Sequence, residues 1–290
     1  MNPGYWRRND TSVNISQCYN SDACKGGYYS TCAVGYGGNL CDSCIKQGDL
    51  WYIRSNSNDC AECVDYSLNV LRLVGVSLLI IIYFIVLIYF NIRSYDAEVT
   101  NGTAPIRLSS VYMRILTNYF QILTLASSYD LSWTDNMKEL MRYLSLISQS
   151  QEILFSVDCF LRDNQILIEP VYYKMILACL FPLMCIAVVT VFWLLHWYCK
   201  ANSRSLTNWI MSIVILIFMT LPAITTITFT IYNCIDVFED GDAYLAVDMS
   251  LQCWTGDHEY YSTHYGIPII LIWIFGLPML ALALMYRNRQ

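Results

Sequence analysis

Charge is what this sequence has least of. Only 14% of its 290 residues are charged and 56% are hydrophobic, whereas soluble domains carry about 25% charged residues. That shortage excludes an ordinary soluble domain and fits a chain that crosses lipid repeatedly. Histidine is scarce too, with only His196, His258 and His264. There is no HExxH helix, no GxSxG elbow and no phosphate-binding P-loop. These absences point away from an enzyme and from a resident cofactor or metal. No basic face is present, which points away from nucleic acid as a partner. The first twenty residues also lack the apolar stretch of a secretory leader. Either the first span acts as an internal signal or the chain continues upstream, and the second is the expectation.

What is abundant is long apolar runs. After Arg72, eighteen residues to Phe90 carry no charge; at about 1.5 Å per residue they cover roughly 27 Å, close to a bilayer's hydrocarbon thickness. Met175 to Cys199, Leu206 to Tyr232 and Tyr265 to Tyr286 are charge-free apart from His196 and equally long. Ile115 to Tyr129 is apolar but studded with polar residues, and reads as a further helix. The expected architecture is an all-α polytopic membrane bundle of about five transmembrane helices, with a small disulfide-rich N-terminal ectodomain. Residues 1–66 form the ectodomain and 67–290 the helical domain. The spans lie near 70–91, 111–129, 175–199, 206–232 and 265–286. An amphipathic segment near 138–162 has Leu140, Leu144, Ile147, Leu154 and Val157 close to one face. Its charges make it a poor span, so it is expected to lie along the outer interface or to cap the bundle.

Seven of the thirteen cysteines fall in the first 63 residues: Cys18, Cys24, Cys32, Cys41, Cys44, Cys60 and Cys63. A segment this poor in aliphatic residues needs covalent staples, which an oxidising compartment permits. The spacing of Cys41, Cys44, Cys60 and Cys63 also matches a four-cysteine zinc site, but disulfides are the expectation. Cys234 and Cys253 flank a later loop, and a bridge between them would be worth about 3 kcal/mol. Seven is odd, so one N-terminal cysteine is expected either to pair with Cys159 or to stay free; spacing does not give the connectivity. Asn9 and Asn14 head glycosylation sequons.

Lysine and arginine are distributed unevenly. The connections 91–110 and 200–205 and the tail after 286 hold six basic residues against two acids, whereas 129–174 holds four against seven and 233–264 none against seven. The positive-inside rule then puts the N-terminus outside and the C-terminus inside, in agreement with the cysteines.

The stretches Pro3 to Arg7, Cys24 to Gly27, Cys32 to Cys44 and Cys60 to Cys63 resemble the EGF-like, ephrin-receptor-tail-like module that precedes the membrane part of large surface proteins in ciliates and other protists. Ile115 to Trp133, Ser156 to Cys159, Pro170 to Lys174 with Pro182, and Tyr244 through Cys253 to Pro278 resemble the TRP-like membrane region of such proteins. The resemblance implies a multipass surface protein of TRP-like, cation-conducting or sensory character. The alternative is a non-conducting anchor or assembly subunit within an oligomer or larger membrane complex.

Two constellations suit conduction. Arg114, Asn118, Gln121 and Ser128 recur at helical intervals and share one face, so they either join helices or line a polar pathway. Asp236, Glu239, Asp240 and Asp242 open the densest acidic run, which would either concentrate cations at a membrane mouth or remain a solvated loop. His258 and His264 lie in the same run and read as exposed loop residues. Five threonines of the fourth span, Thr220, Thr225, Thr226, Thr228 and Thr230, either face the pathway or bond their own backbone. Pro278 predicts a bend in the last span.

Overall fold

The computed structural model describes residues 1–9, 13–54, 59–101, 112, 115, 119, 150–164, 168–200, 205–238 and 241–287. Four of the described helices are long and apolar enough to cross a membrane. They lie within α1 (Tyr66–Asn101), α3 (Pro170–Lys200), α4 (Ser205–Thr230) and a last helix, α5, formed by the helical run Gly256–Arg287. A shorter helix, α2 (Ser150–Asp163), falls within the amphipathic segment. The last helix starts nine residues before the expected span and takes in His258. Of the expected span 111–129 only Tyr112, Ile115 and Tyr119 are described; they are helical and exposed. Arg114, Asn118, Gln121 and Ser128 lie outside the described residues.

The chain forms two compact units, and they do not follow a cut after residue 66. One comprises Met1–Leu73, Gln151–Ile176 and Ile227–Gln290, the other Val74–Ser150 and Leu177–Thr226.

In the first unit, eight of the twelve strands are only two residues long, as expected where disulfides rather than ladders supply the order. Hairpins join β1 (Tyr5–Trp6) to β2 (Ser16–Gln17), β3 (Cys24–Gly26) to β4 (Thr31–Cys32), and β5 (Tyr36–Gly37) to β6 (Ser43–Cys44). A three-stranded sheet follows, β7 (Lys46–Gln47), β8 (Leu50–Arg54) and β9 (Cys60–Glu62). The bridges are Cys18–Cys24, Cys32–Cys41, Cys44–Cys60, Cys63–Cys159 and Cys234–Cys253. All ten expected cysteines are therefore paired. The four-cysteine zinc alternative fails, since Cys41, Cys44, Cys60 and Cys63 belong to three different disulfides. After α4 a second three-stranded sheet follows, β10 (Cys234–Ile235), β11 (Tyr244–Leu245) and β12 (Asp248–Gln252).

The last helix carries wide, π-type turns over Ser262–Gly266 and Ile270–Gly276, closed by bonds from Ile267 N–H to Ser262 O and Leu277 N–H to Ile272 O. Each wide turn ends just before a proline, Pro268 or Pro278. A proline has no N–H to give, and its ring crowds the carbonyl four residues earlier, so the preceding turn opens to a five-residue closure. At Pro278, where a bend is expected, the helix has a widened turn and continues. Gly266 is where the side of this helix meets Tyr232, whose hydroxyl donates to Ser262 O at 2.7 Å. A Cβ at 266 would collide with that hydroxyl. Gly266→Ala should therefore destabilise by about 1–3 kcal/mol through overpacking. Adding Tyr232→Phe should recover part of the loss; a double variant less stable than Gly266→Ala in thermal unfolding would contradict this contact.

The second unit is held by reciprocal indole donors. Trp193 Nε1 of α3 donates to Ser212 Oγ of α4 at 3.2 Å, and Trp209 Nε1 of α4 donates to Thr190 Oγ1 of α3 at 3.0 Å. Asn208, Ser212, Leu216, Thr220 and Ile224 recur every four residues and are buried, one stripe of α4. Thr220, Thr225 and Thr226 donate to the backbone carbonyls four residues before them. These three hydroxyls bond their own helix, the plainer of the two readings for them, whereas Thr228 Oγ1 is buried with no hydrogen-bond partner among the described residues.

Candidate functional site

The candidate site is the junction where the N-terminal module meets α2, the second sheet and the helix starts of the first unit. Three groups of contacts build it.

The first is hydrophobic. Trp6, Cys18, Ala23, Cys24, Leu40 and Cys41 form the module's core, and Val237 and Phe238 pack against it. Trp6 and Phe238 lie 5.7 Å apart, so a module too small to bury a core alone is completed by residues more than 190 positions later. Polar contacts surround this patch. Arg8 donates to the Tyr244 hydroxyl at 3.0 Å and lies over the Phe238 ring. Its contact with Asp242, at 3.7 Å between half-exposed groups, is worth little. Asn39 Nδ2 donates to Met249 O at 3.0 Å, and Ser43 Oγ to Asp248 Oδ1 at 2.7 Å.

The described carboxylates of the acidic run make local contacts. Asp236 accepts the Gly241 N–H, Asp242 accepts from Gln252, and Asp248 accepts from Ser43, Ser250 N–H and Ser250 Oγ. Each described carboxylate of β10–β12 thus shapes the sheet or holds the module; Glu239 and Asp240 lie outside the described residues.

Covalent contact comes second. Cys63 of the module is bonded to the fully buried Cys159 of α2. Around this bridge Tyr66 stacks on Phe160 at 6.2 Å, and the Arg162 guanidinium lies 5.5 Å from the Trp51 ring centre. Arg54 also donates to the Asp42 carboxylate at 2.7 Å and to its backbone carbonyl. Burial holds the Asp42 carboxyl above the ordinary aspartate range despite the Arg54 contact, and Asp248 adds to the rise.

Charged and aromatic side chains at the helix ends make the third group. Lys174 Nζ of α3 donates to Asp158 Oδ2 of α2 at 2.6 Å, and Arg162 to Glu169 at 2.7 Å. Asp158 Oδ1 is buried and has no hydrogen-bond partner. Burial pushes the Asp158 carboxyl up more than Lys174 and Arg162 hold it down. Tyr172 of α3 stacks on Tyr261 of α5 at 4.5 Å and lies edge-on to His258.

His258 is the residue that sequence reasoning placed wrongly. It is buried inside the last helix, not exposed in a loop. No sequence signal marked it, because it sits in a run that is acidic and hydrophilic around it. Together with Cys234 and Cys253 it forms a group whose ligand atoms lie within 4.8 Å of one another. Both sulfurs are consumed in the Cys234–Cys253 bond, so no thiolate pair is left to hold a metal. His264, by contrast, is exposed.

The chain matches no protein-family model, no curated protein and no solved structure.

Proposed function

We propose that this chain is a multipass surface membrane protein in which the stapled N-terminal module receives an external signal and the helices respond, in the manner of a TRP-like, cation-conducting or sensory protein. The observation that carries the reading is the Cys63–Cys159 bond, a covalent path from the module to a helix of the bundle. A module built only to decorate the surface needs no such bond. In this reading the spans number five, with the second near 111–129. The N-terminus faces outside, the C-terminus faces the cytoplasm, and Asn9 and Asn14 carry glycans. The lipid bilayer is the main partner and cations the conducted species; the chain carries out no chemical step. Reconstitution tests it: cation current under voltage, stretch or an applied ligand is expected, and Asn118→Leu or Gln121→Leu should abolish it while sparing assembly. Silent membranes containing folded protein would refute conduction.

One observation favours the second reading, a non-conducting anchor or assembly subunit. No more than 22% of the residues in any of the four span windows are buried, which leaves broad apolar faces for lipid or neighbouring subunits. Under that reading Asn118→Leu and Gln121→Leu change stability by about 1 kcal/mol or less, and purified protein is found in a larger complex.

A further inference from the structure

Two backbone contacts fix the state of His258. Its Nε2 lies 2.8 Å from the Ile231 carbonyl oxygen, which can only accept, so Nε2 carries a proton and donates. Its Nδ1 lies 3.0 Å from the Trp254 amide nitrogen, whose N–H donates, so Nδ1 is bare and accepts. Both contacts specify the same neutral tautomer. The ring's other neighbours are the rings of Tyr172 and Trp254 and the sulfur of disulfide-bonded Cys234, 4.0 Å from Nε2.

None of these neighbours can balance a positive charge. Tyr172 comes from α3, the Ile231 carbonyl and Tyr232 from the segment after α4, Cys234 from β10, and Trp254 from the corner after β12. On the ring's own helix Asp257 and Glu259 are exposed and do not bond it, and Tyr261 turns to Tyr172. A proton added at Nδ1 would set a second donor against the Trp254 N–H at 3.0 Å and place an uncompensated charge in a site that is 2% exposed.

The corner held by this bond is strained. Trp254 has φ +61 and Gly256 φ +49, and a large side chain in the left-handed region persists only where its surroundings hold it there. Here the holding contacts are the His258 bond and the Tyr232 and His258 rings, 6.2 and 5.4 Å from the indole.

We propose that His258 is an acid-sensitive latch: protonation of Nδ1 breaks the Trp254 amide bond and releases the Trp254–Gly256 corner, loosening the connection between β12 and the last membrane-length helix. The Cys234–Cys253 bridge keeps β10 and the end of β12 joined meanwhile. The latch holds whether or not the helices conduct. Asp42 and Asp158 act with the opposite sign. Burial raises both, so each contributes stability that is fully present below its unfolded value and lost as pH rises through its folded value. Loosening on acidification cannot come from them.

Hydrogen exchange of the full chain in nanodiscs, with the same buffer on both faces, tests the latch without reference to orientation. Protection of the Trp254 amide, corrected for the intrinsic pH dependence of exchange, should fall about tenfold or more between about pH 7.5 and pH 5, the scale of one lost hydrogen bond to a group that has become charged. Amides of the β3–β4 hairpin should not change. His258→Gln keeps a donor for Ile231 O but cannot take up a proton, so its Trp254 protection should be flat with pH. His264→Gln should retain the wild-type fall. Should His258→Gln not fold, ¹⁵N shifts of the wild-type histidines decide: His258 must be the Nε2–H tautomer where Trp254 is protected, and the doubly protonated ring must accompany the loss of that protection. Unchanged Trp254 protection, an equal fall in His258→Gln, an equal fall in every segment, or a His258 ring that stays neutral would overturn the proposal.

Discussion

Cys159→Ser is expected to cost about 4 to 5 kcal/mol of the first unit's stability, from the loop-closure account of a crosslink between residues 96 apart. It should be the largest effect of any single substitution in this unit. Cys63 and Cys159 close a loop that runs through α1 and back to α2, so the unfolded chain gains more freedom from losing this bond than from losing any of the other four, whose separations are 6 to 19 residues. The buried Cys159 site also leaves a polar hydroxyl without a natural partner. Denaturant unfolding followed by Trp51 fluorescence, whose indole reports the same junction, measures the loss. A cost near that of Cys18→Ser would mean that the bridge is peripheral.

Lys174→Met should be the next largest. It leaves the Asp158 carboxyl buried with neither oxygen paired, and removing one partner of a buried pair costs about 3–5 kcal/mol; Lys174 is 20% exposed at the side chain, so about 2–4 kcal/mol is expected here. The pH dependence carries the sign. The Asp158 carboxyl is already raised by burial, and loss of the ammonium raises it further. The protonated acid needs no cation, so the penalty should shrink as pH falls toward the ordinary carboxylate range and be largest at neutral pH and above. Lys174→Met combined with Asp158→Leu should be more stable than Lys174→Met alone at neutral pH. A penalty independent of pH would mean that packing of the lysine stem, not the charge pair, holds α2 to α3.

Much of this junction was legible in the sequence, and the reasons are specific. Cysteine parity and the outside position of Cys159 pointed to a bond between that residue and the module, and the flanking positions of Cys234 and Cys253 pointed to their own bridge. Which N-terminal cysteine reached Cys159 was not legible, because pairing depends on where hairpins place each sulfur. The runs 70–91 and 175–199 fall inside helices, and 206–232 overruns α4 by only two residues, since length without charge is a strong signal. The start of the last helix was missed by nine residues, because Gly256–Tyr265 is polar and carries no apolar period. Arg8, Asn39 and Ser43 find their partners more than 200 residues away. Spacing rules see only near neighbours, so the contacts that Asp242 and Asp248 make with the module were not legible. His258 was hidden for the same reason, its burial being supplied by α3, the end of α4 and the second sheet.

The Cys63–Cys159 bond makes the module covalently part of the helix-bearing unit, and one cut tests that. A protease site inserted between residues 130 and 149 divides the chain so that Cys18–Cys24, Cys32–Cys41 and Cys44–Cys60 stay in the N-terminal fragment and Cys234–Cys253 in the C-terminal one. Among the five bridges only Cys63–Cys159 crosses the cut. After cleavage, denaturing electrophoresis without reductant should show one species of full mass, and reductant should split it into two. Two fragments before reduction, with Cys63 and Cys159 recovered as alkylated free thiols, would contradict the account.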